Sequence, residues 1–214
     1  MKHTFILISA LVFLIPCFFS CDNNRVAPEE LHSQGASYYY SEDYKTARKY
    51  FEKAASFGVV ESAYNLGLMY LQGLGVKRDF KKARAWFSKA QNYAEALNWL
   101  GLLYENGIGG EQDLEIAVSY YESAICAGSV LAKNNLGKCY LNGWGVEKDY
   151  DMAFSLFSEA AEENIEDAFR NLSTMYREGL GREIDIEKSL ELDKKAASVG
   201  WEQFSEPAIE IDGE

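Results

Sequence analysis

Apolar and small residues recur along the chain with a spacing that predicts paired α-helices. Residues 63–76, 97–110, 133–146 and 169–182 each contain a leucine, then a small residue, then a tyrosine four positions after the leucine. Side chains four residues apart lie on one face of a helix, so each segment predicts an amphipathic helix with Leu and Tyr on its buried face. A second segment with aromatic, aliphatic and small residues, such as Ala160-Ala161, follows and predicts the paired helix.

Glycine and aspartate mark the predicted helix ends. Each first helix runs into Gly-x-Gly, which ends a helix and permits a left-handed turn. An aspartate follows where the second helix of the pair needs an N-cap. The four copies repeat after 34, 36 and 36 residues. Their anchors are Leu66/Gly67/Tyr70/Gly73/Gly75/Asp79, Leu100/Gly101/Tyr104/Gly107/Gly109/Asp113, Leu136/Gly137/Tyr140/Gly143/Gly145/Asp149 and Leu172/Ser173/Tyr176/Gly179/Gly181/Asp185.

These residues resemble the Sel-1-like repeat family, a relative of the tetratricopeptide repeats, over residues 59–200. The resemblance implies an all-α fold, a right-handed α-solenoid of about five helical hairpins over residues 29–200. Because a single hairpin cannot bury its own apolar face, we expect neighbouring hairpins to stack. A shorter upstream hairpin, similar to a tetratricopeptide repeat, is indicated by Gly35, Tyr38, Ala47, Phe51 and Ala54-Ala55.

The C-terminal end of the repeat array departs from the pattern. Ser173 stands where the other copies have glycine, which predicts looser packing in a terminal, capping repeat. Residues 201–214 are acidic and follow the last repeat, so we expect them to form a mobile tail.

The first twenty residues, 1–20, form a separate segment. Lys2 precedes an apolar run over 5–19, which is shorter than the ~20 residues of a membrane span and typical of an export signal. The sequence Phe18-Phe19-Ser20-Cys21 resembles a bacterial lipobox, which implies cleavage before Cys21 and lipidation of that cysteine. An ordinary signal peptide cut nearby and an uncleaved anchor are the alternatives.

A lipid on Cys21 would hold the folded body close to a membrane. Residues 21–28 then comprise the lipidated cysteine and a tether, which reaches at most about 24 Å beyond it. Asp22 resembles the inner-membrane retention signal of lipoproteins in Gram-negative bacteria. We therefore expect a lipid-anchored protein in the cell envelope that faces the periplasm.

Composition narrows the classes of partner. The chain has 214 residues, of which 48% are hydrophobic and 3 are proline, so it can form a globular core. Its formal charge of −12 makes nucleic acid and an anionic membrane face unfavourable partners. A basic protein partner is compatible with this charge, and so is solubility alone.

Few residues are suited to catalysis or metal binding. His32 is the one histidine outside the predicted signal, and no nucleophile motif accompanies it. Together with Cys126 and Cys139, it cannot complete a four-ligand zinc site without carboxylates. The two cysteines are offset along the predicted hairpin by roughly 13 Å, beyond the ~7 Å reach of a disulfide, so we expect two buried thiols. We expect no cofactor, no metal and no small-molecule substrate.

In the tetratricopeptide relatives, exposed positions of the first helices line a concave groove. Counted from the small residue of each copy, the candidate partner-binding residues are Tyr39, Tyr40, Tyr64, Leu68, Leu71, Asn98, Leu102, Asn134, Lys138, Arg170 and Arg177. Aromatic and apolar side chains beside cations suit a protein partner. A register error of one residue would place the leucines in the core. The recurrent Asn65, Asn135 and Asn171 can pair with a peptide backbone or form hydrogen bonds inside the repeat array.

These features predict a protein-binding module in the cell envelope rather than an enzyme. Lipid-anchored Sel-1-like proteins of the periplasm resemble immunity proteins against toxic phospholipase effectors of type VI secretion systems, and the resemblance implies such a role. A constitutive envelope scaffold or regulator is the alternative. A third hypothesis is a hydrolase that acts on the cell wall or on β-lactams. The absence of an assembled nucleophile argues against it.

Overall fold

Short turns join α-helices throughout residues 26–199, the region described by this computed structural model. That region contains no β-strand, and each helix packs against the helices before and after it in the chain. The result is five stacked helical hairpins, which confirms the predicted all-α solenoid. The helices are α1 (Pro28–Tyr40), α2 (Tyr44–Ser56), α3 (Val60–Gln72), α4 (Phe80–Lys89), α5 (Ala94–Glu105), α6 (Leu114–Cys126), α7 (Val130–Asn142), α8 (Tyr150–Glu162), α9 (Glu166–Glu178) and α10 (Ile186–Ser198).

The predicted signal peptide, Cys21 and the acidic tail lie outside the described residues, as do most of the tether residues. Their assignments stay predictions. Among the helices of residues 26–199, none has both the length and the apolar character that a membrane span requires.

Aspartate side chains fix where the second helices begin. Asp79, Asp113, Asp149 and Asp185 each accept a hydrogen bond from the backbone N–H three residues ahead, at 2.8–3.0 Å. Asp43 does the same for α2 at 3.1 Å, although the sequence analysis did not single it out. Each bond satisfies a backbone donor that has no partner within the helix. The predicted N-caps are therefore confirmed in all four full copies.

The two glycines of Gly-x-Gly have different roles. The first is the C-cap of α3, α7 and α9, where Gly73, Gly143 and Gly179 have φ of 78°, 76° and 68°. The second contacts the preceding hairpin. A Cβ on Gly145 would overlap the carbonyl oxygen of Leu114, the first residue of α6. The motif therefore ends a helix and also brings successive hairpins into backbone contact.

Within a hairpin, a ring from the second helix packs against a glycine of the first. A Cβ on Gly67, for example, would lie only 2.5 Å from the ring of Phe87. The ring residues are fully buried. The close approach predicted at the small residue is thus confirmed, and an aromatic ring occupies the space. The other pairs are Gly35/Phe51, Gly101/Tyr121 and Gly137/Phe157.

The last hairpin, α9 with α10, replaces this packing by a hydrogen bond. Asp193 stands where the other hairpins have the ring, and Ser173 where they have glycine. The hydroxyl groups of Ser173 and Ser189 lie 2.8 Å apart, and both residues are buried. The two hydroxyl groups satisfy each other, and the looser packing predicted at Ser173 stays a prediction.

The two cysteines of the described region differ in exposure. Cys139 in α7 is 1% exposed, whereas Cys126 at the end of α6 is exposed, and both are free thiols. The prediction of two buried thiols is wrong for Cys126, because it lies beside the open turn at Gly128, where an added Cβ would meet nothing within 4 Å. Burial raises the pKa of the Cys139 thiol to about 12, and the charge of Glu105 adds to the rise.

We expect a thiol reagent to modify Cys126 rapidly and Cys139 only after unfolding, because the thiolate is the reactive form. The measurement counts labelled thiols per chain at mildly alkaline pH, with and without denaturant, in residues 21–214 carrying Cys21→Ser. One fast thiol is expected in the native protein and two in denaturant. Rapid labelling of a Cys126→Ser variant would contradict the buried position of Cys139.

Candidate protein-binding face

Side-chain amides join the first helices of successive hairpins. Asn135 of α7 donates a hydrogen bond to Asn98 of α5 at 2.9 Å. Asn171 of α9 donates to Asn134 of α7 at 2.8 Å. The sequence predicted two possible roles for Asn135 and Asn171. The structure shows one of them, the hydrogen bond inside the repeat array. These bonds hold the first helices side by side.

Three of the predicted binding residues lie inside the protein. Leu71 is 3%, Asn98 1% and Asn134 4% exposed, so their side chains do not form part of a docking surface. Leu71 belongs to a core cluster with Phe87 and Trp99. Counting along one helix could not reveal this, because the neighbouring hairpins supply the atoms that cover these side chains.

The other eight candidates reach the surface of the first helices, and we term this surface the first-helix face. Two neighbouring side chains show how exposure varies across it. Tyr40 at the end of α1 is 86% exposed, whereas Tyr39 before it is half-buried. The face comprises Tyr39, Tyr40, Tyr64, Leu68, Leu102, Lys138, Arg170 and Arg177.

Ring contacts fix the tyrosines at the N-terminal end of the first-helix face. Tyr39 meets Tyr40 and Tyr44 edge to face, with ring centroids 6.2 and 5.3 Å apart. The Tyr64 ring centroid lies 4.9 Å from that of Tyr93. Burial raises the pKa of the Tyr39 phenol, and Tyr44 and Tyr40 add to the rise. Its hydroxyl therefore stays protonated and can donate a hydrogen bond to a partner.

The middle of the face is aliphatic. Leu68 and Leu102 are half-buried, and each packs at the edge of a core cluster while keeping some exposed surface. Lys138 occupies the equivalent position in the next hairpin and is also half-buried. The protein core already restricts these side chains. They therefore lose little conformational entropy when a partner covers their exposed parts.

The C-terminal end of the face is cationic and carries its own acidic partners. Arg170 donates to Glu166 within α9, with Nε 3.0 Å from the carboxylate oxygen. Arg177 lies 3.7 Å from Asp193 of α10. Exposed ion pairs of this kind contribute little to stability, so a partner carboxylate can replace them at small cost.

A second charged surface was missed by the sequence analysis. It lies between α2 and the start of α4, where Arg48 lines the same cleft as Lys77 and its neighbours. The residues belong to different hairpins and stand far apart in the sequence. The signal that could have revealed them is a comparison of the four aligned copies, in which only the first has a net positive charge at these positions.

The one histidine of residues 26–199 lies beside a hydroxyl group that a substrate cannot reach. His32 Nδ1 lies 2.9 Å from the hydroxyl oxygen of Ser62, but Ser62 is 0% exposed and no substrate carbonyl can reach that oxygen. The ring of His32 packs 5.6 Å from that of Phe51. Within residues 26–199, no three His, Cys, Asp or Glu side chains are grouped so that they could hold a metal ion.

Five stacked helical hairpins define an α-helical repeat protein. The chain belongs to the Sel1 repeat family, whose sequence profile matches residues 23–57, 60–90, 94–129, 130–165 and 168–200. Sel1 repeat proteins are protein-interaction modules, and their fold is typically a non-catalytic scaffold.

Two solved structures show the same fold. The protein c5321, a protective antigen of uropathogenic Escherichia coli with an SLR fold, is 31% identical over 80% of this chain, with a TM-score of 0.73. A Sel1 repeat protein from Oxalobacter formigenes is 28% identical over 80% of this chain, with a TM-score of 0.75. The alignments span 38% and 70% of those two chains, respectively.

A curated relative from Helicobacter pylori, HcpC, carries beta-lactamase in its name. It is 44% identical over 55 residues, which are 26% of this chain and 19% of that protein. The chain therefore spans about a fifth of the relative's length. The name describes that relative and assigns no activity to this chain.

Proposed function

We propose that this protein is a non-enzymatic binding module held at a membrane of the cell envelope through a lipid on Cys21. The observation that carries the binding role is the first-helix face, with Tyr40 86% exposed at one end and Arg177 exposed at the other. Tyr40 contributes little to the core of the solenoid. Covering an exposed aromatic ring is a favourable contribution to protein association.

Sequence features support the anchor. The apolar run over 5–19 and the pair Ser20-Cys21 precede α1, which begins at Pro28. The short intervening segment would keep the solenoid near the membrane surface. With Asp22 as a retention signal, the protein faces the periplasm from the inner membrane of a Gram-negative cell.

Within that class, the partner we propose is a toxic, phospholipase-like effector of a type VI secretion system, with this chain as its immunity protein. An enzyme that acts on lipids exposes apolar surface where it meets the bilayer. Leu68, Leu102 and the tyrosines offer apolar surface to cover such a region and thereby close the entrance to its active site. An inhibitor anchored at the membrane meets the effector where its substrate lies.

The test is affinity purification of the tagged full-length protein from detergent-solubilised envelopes, with partners identified by mass spectrometry. We expect one stoichiometric partner with lipase activity that falls when this protein is added. Several resident envelope proteins in its place would identify a constitutive scaffold or regulator and overturn the immunity role. After a wash at high salt, which suppresses electrostatic binding to lipid, Cys21→Ser is expected to leave the membrane fraction. Retention there, with no lipid on the unmutated chain, would contradict the anchor.

A matched pair of variants tests the face itself. Tyr40→Ala is expected to weaken partner binding at least about tenfold, as for a binding hot spot. Phe57→Ala is the control, because Phe57 is 58% exposed and lies at the end of α2, away from the first-helix face. Titration of the purified partner gives both affinities. Equal weakening by the two variants would contradict the assignment of the face.

A further inference from the structure

A cleft of about 600 Å³ lies between α2, the start of α4 and the turn after α5. Its single acidic residue, Asp79, already accepts the backbone hydrogen bond that caps α4. Five basic side chains line the cleft, which we term the basic cleft. They are Arg48, Lys77, Arg78, Lys81 and Lys82.

The repeat fold does not require these basic residues. The positions of Lys77, Arg78, Lys81 and Lys82 recur in each full copy, at the same place relative to the capping aspartate. Their formal charge is +4 in the first copy and −1 or −2 in each of the others. In the other three copies, the same loop and helix start are therefore formed by residues with a net negative charge. The equivalents are Glu111, Gln112, Glu115 and Ile116, then Glu147, Lys148, Asp151 and Met152, then Glu183, Ile184, Glu187 and Lys188.

Two of the five cations of the basic cleft have no neutralising partner within the described residues. Lys77 and Lys81 are exposed, and neither side chain has an ion pair within residues 26–199. Lys82 lies 3.5 Å from Asp79, an exposed pair that contributes little. Arg48 lies 3.7 Å from Glu52 of its own helix. The cleft thus presents surplus positive charge to solvent on a chain whose formal charge is −12.

We propose that the basic cleft binds the phosphate groups of an anionic membrane surface. The proposal rests on the membrane location in the proposed function, but it does not depend on the identity of the partner. The cleft is built mainly from the first two hairpins, which are nearest in the chain to the predicted anchor at Cys21. Each Lys or Arg close to an anionic lipid surface strengthens binding about fivefold.

The negative charge of the whole chain does not prevent this contact. Interactions between exposed charges decay over about 8 Å at physiological ionic strength, so acidic residues of distant hairpins act weakly at the cleft. Those residues are repelled by the same membrane surface. The charge distribution therefore sets an orientation, with the first two hairpins towards the membrane and the last ones away from it.

The test measures the partitioning of residues 21–214 with Cys21→Ser onto vesicles of phosphatidylcholine, with and without phosphatidylglycerol. This chain contains every helix and core residue described above and carries no lipid, so binding does not depend on the anchor. We expect binding only to the anionic vesicles, and we expect it to fall as salt is raised. Lys77→Glu with Lys81→Glu should lower the partition coefficient at least about 25-fold.

Lys148→Glu with Lys194→Glu is the matched control, since it changes the net charge equally in later hairpins. It should lower partitioning less than about threefold. Equal loss in both variants, or no binding of the parent to anionic vesicles, overturns the proposal. So does binding of inorganic phosphate without binding of vesicles. A failed search for an effector would leave this result unchanged, so the two proposals fail separately.

The charge-reversal variant is expected to fold, because glutamate already occupies both equivalent positions, Glu111 and Glu115. Circular dichroism and thermal unfolding check this. If the reversed chain loses its helical signal, Lys77→Ala with Lys81→Ala replaces it, and the expected loss is about 25-fold.

Discussion

Replacing Gly145 with alanine is expected to lower the free energy of unfolding by about 2–5 kcal/mol. Gly145 has a φ of 72°, and a side chain in the left-handed region costs about 1–2 kcal/mol. The added Cβ would also overlap the carbonyl group of Leu114, and neither backbone can move without separating α6 from the turn before α8. Overpacking of this kind costs about 1–3 kcal/mol more.

Gly143→Ala is the matched control, because Gly143 has a φ of 76° but a Cβ there would meet its nearest neighbour at an ordinary 3.6 Å. We expect it to cost only the backbone term, about 1–2 kcal/mol. Denaturant unfolding of residues 21–214 measures both variants. Hydrogen exchange should show the loss from Gly145→Ala at the contact between the third and fourth hairpins, since each hairpin depends on its neighbours. Equal losses from the two variants would contradict the backbone contact.

Replacing Gly137 with valine is expected to destabilise the fold by about 3 kcal/mol. A Cβ at Gly137 would lie 2.6 Å from the ring of Phe157, which is fully buried and cannot turn into solvent. The ring or the helix has to shift, and α7 then separates from α8. At about 2–4 °C per kcal/mol, the melting temperature should fall by about 6–12 °C.

A double-mutant cycle with Phe157→Ala tests whether the ring causes this loss. Removing the ring makes room for the valine, so the double variant should be more stable than the sum of the single effects predicts. We expect a coupling free energy of about 1–3 kcal/mol. Additive effects would show that valine at position 137 acts through something other than the ring.

The two proposed surfaces belong to different parts of each hairpin. The first-helix face is carried by α1, α3, α5, α7 and α9, whereas the basic cleft is built from α2 and the start of α4. A membrane bound at the cleft therefore leaves most of the first-helix face to a protein partner. Tyr40→Ala and Lys77→Glu should affect different ligands, because they change different surfaces.

Part of the candidate site followed from the sequence. The exposure of Tyr40, Arg170 and Arg177 follows from their place on a helix whose opposite face is set by Leu and Tyr. Asn98 and Asn134 have the same pattern as exposed residues, yet both are buried. The difference comes from the next first helix, whose asparagine donates a hydrogen bond to the side-chain oxygen of the buried residue.

The sequence by itself determined the helices, their ends and the order in which they stack. A leucine and tyrosine four apart, a glycine in a left-handed turn and an aspartate N-cap each act through atoms within a few residues, so their pattern is readable along the chain. The recurrence of that pattern determined the solenoid, because hairpins with one apolar face have to cover each other.

Only the tertiary structure decided which side chains the neighbouring hairpins cover and which charges they bring together. Leu71 is buried, and Arg48 lines the same cleft as Lys77, both because the fold brings together segments that are distant in sequence. Such contacts depend on how closely two helices approach. That distance is set in three dimensions, by a ring against a glycine or one backbone against another, and the pattern of a single helix does not contain it.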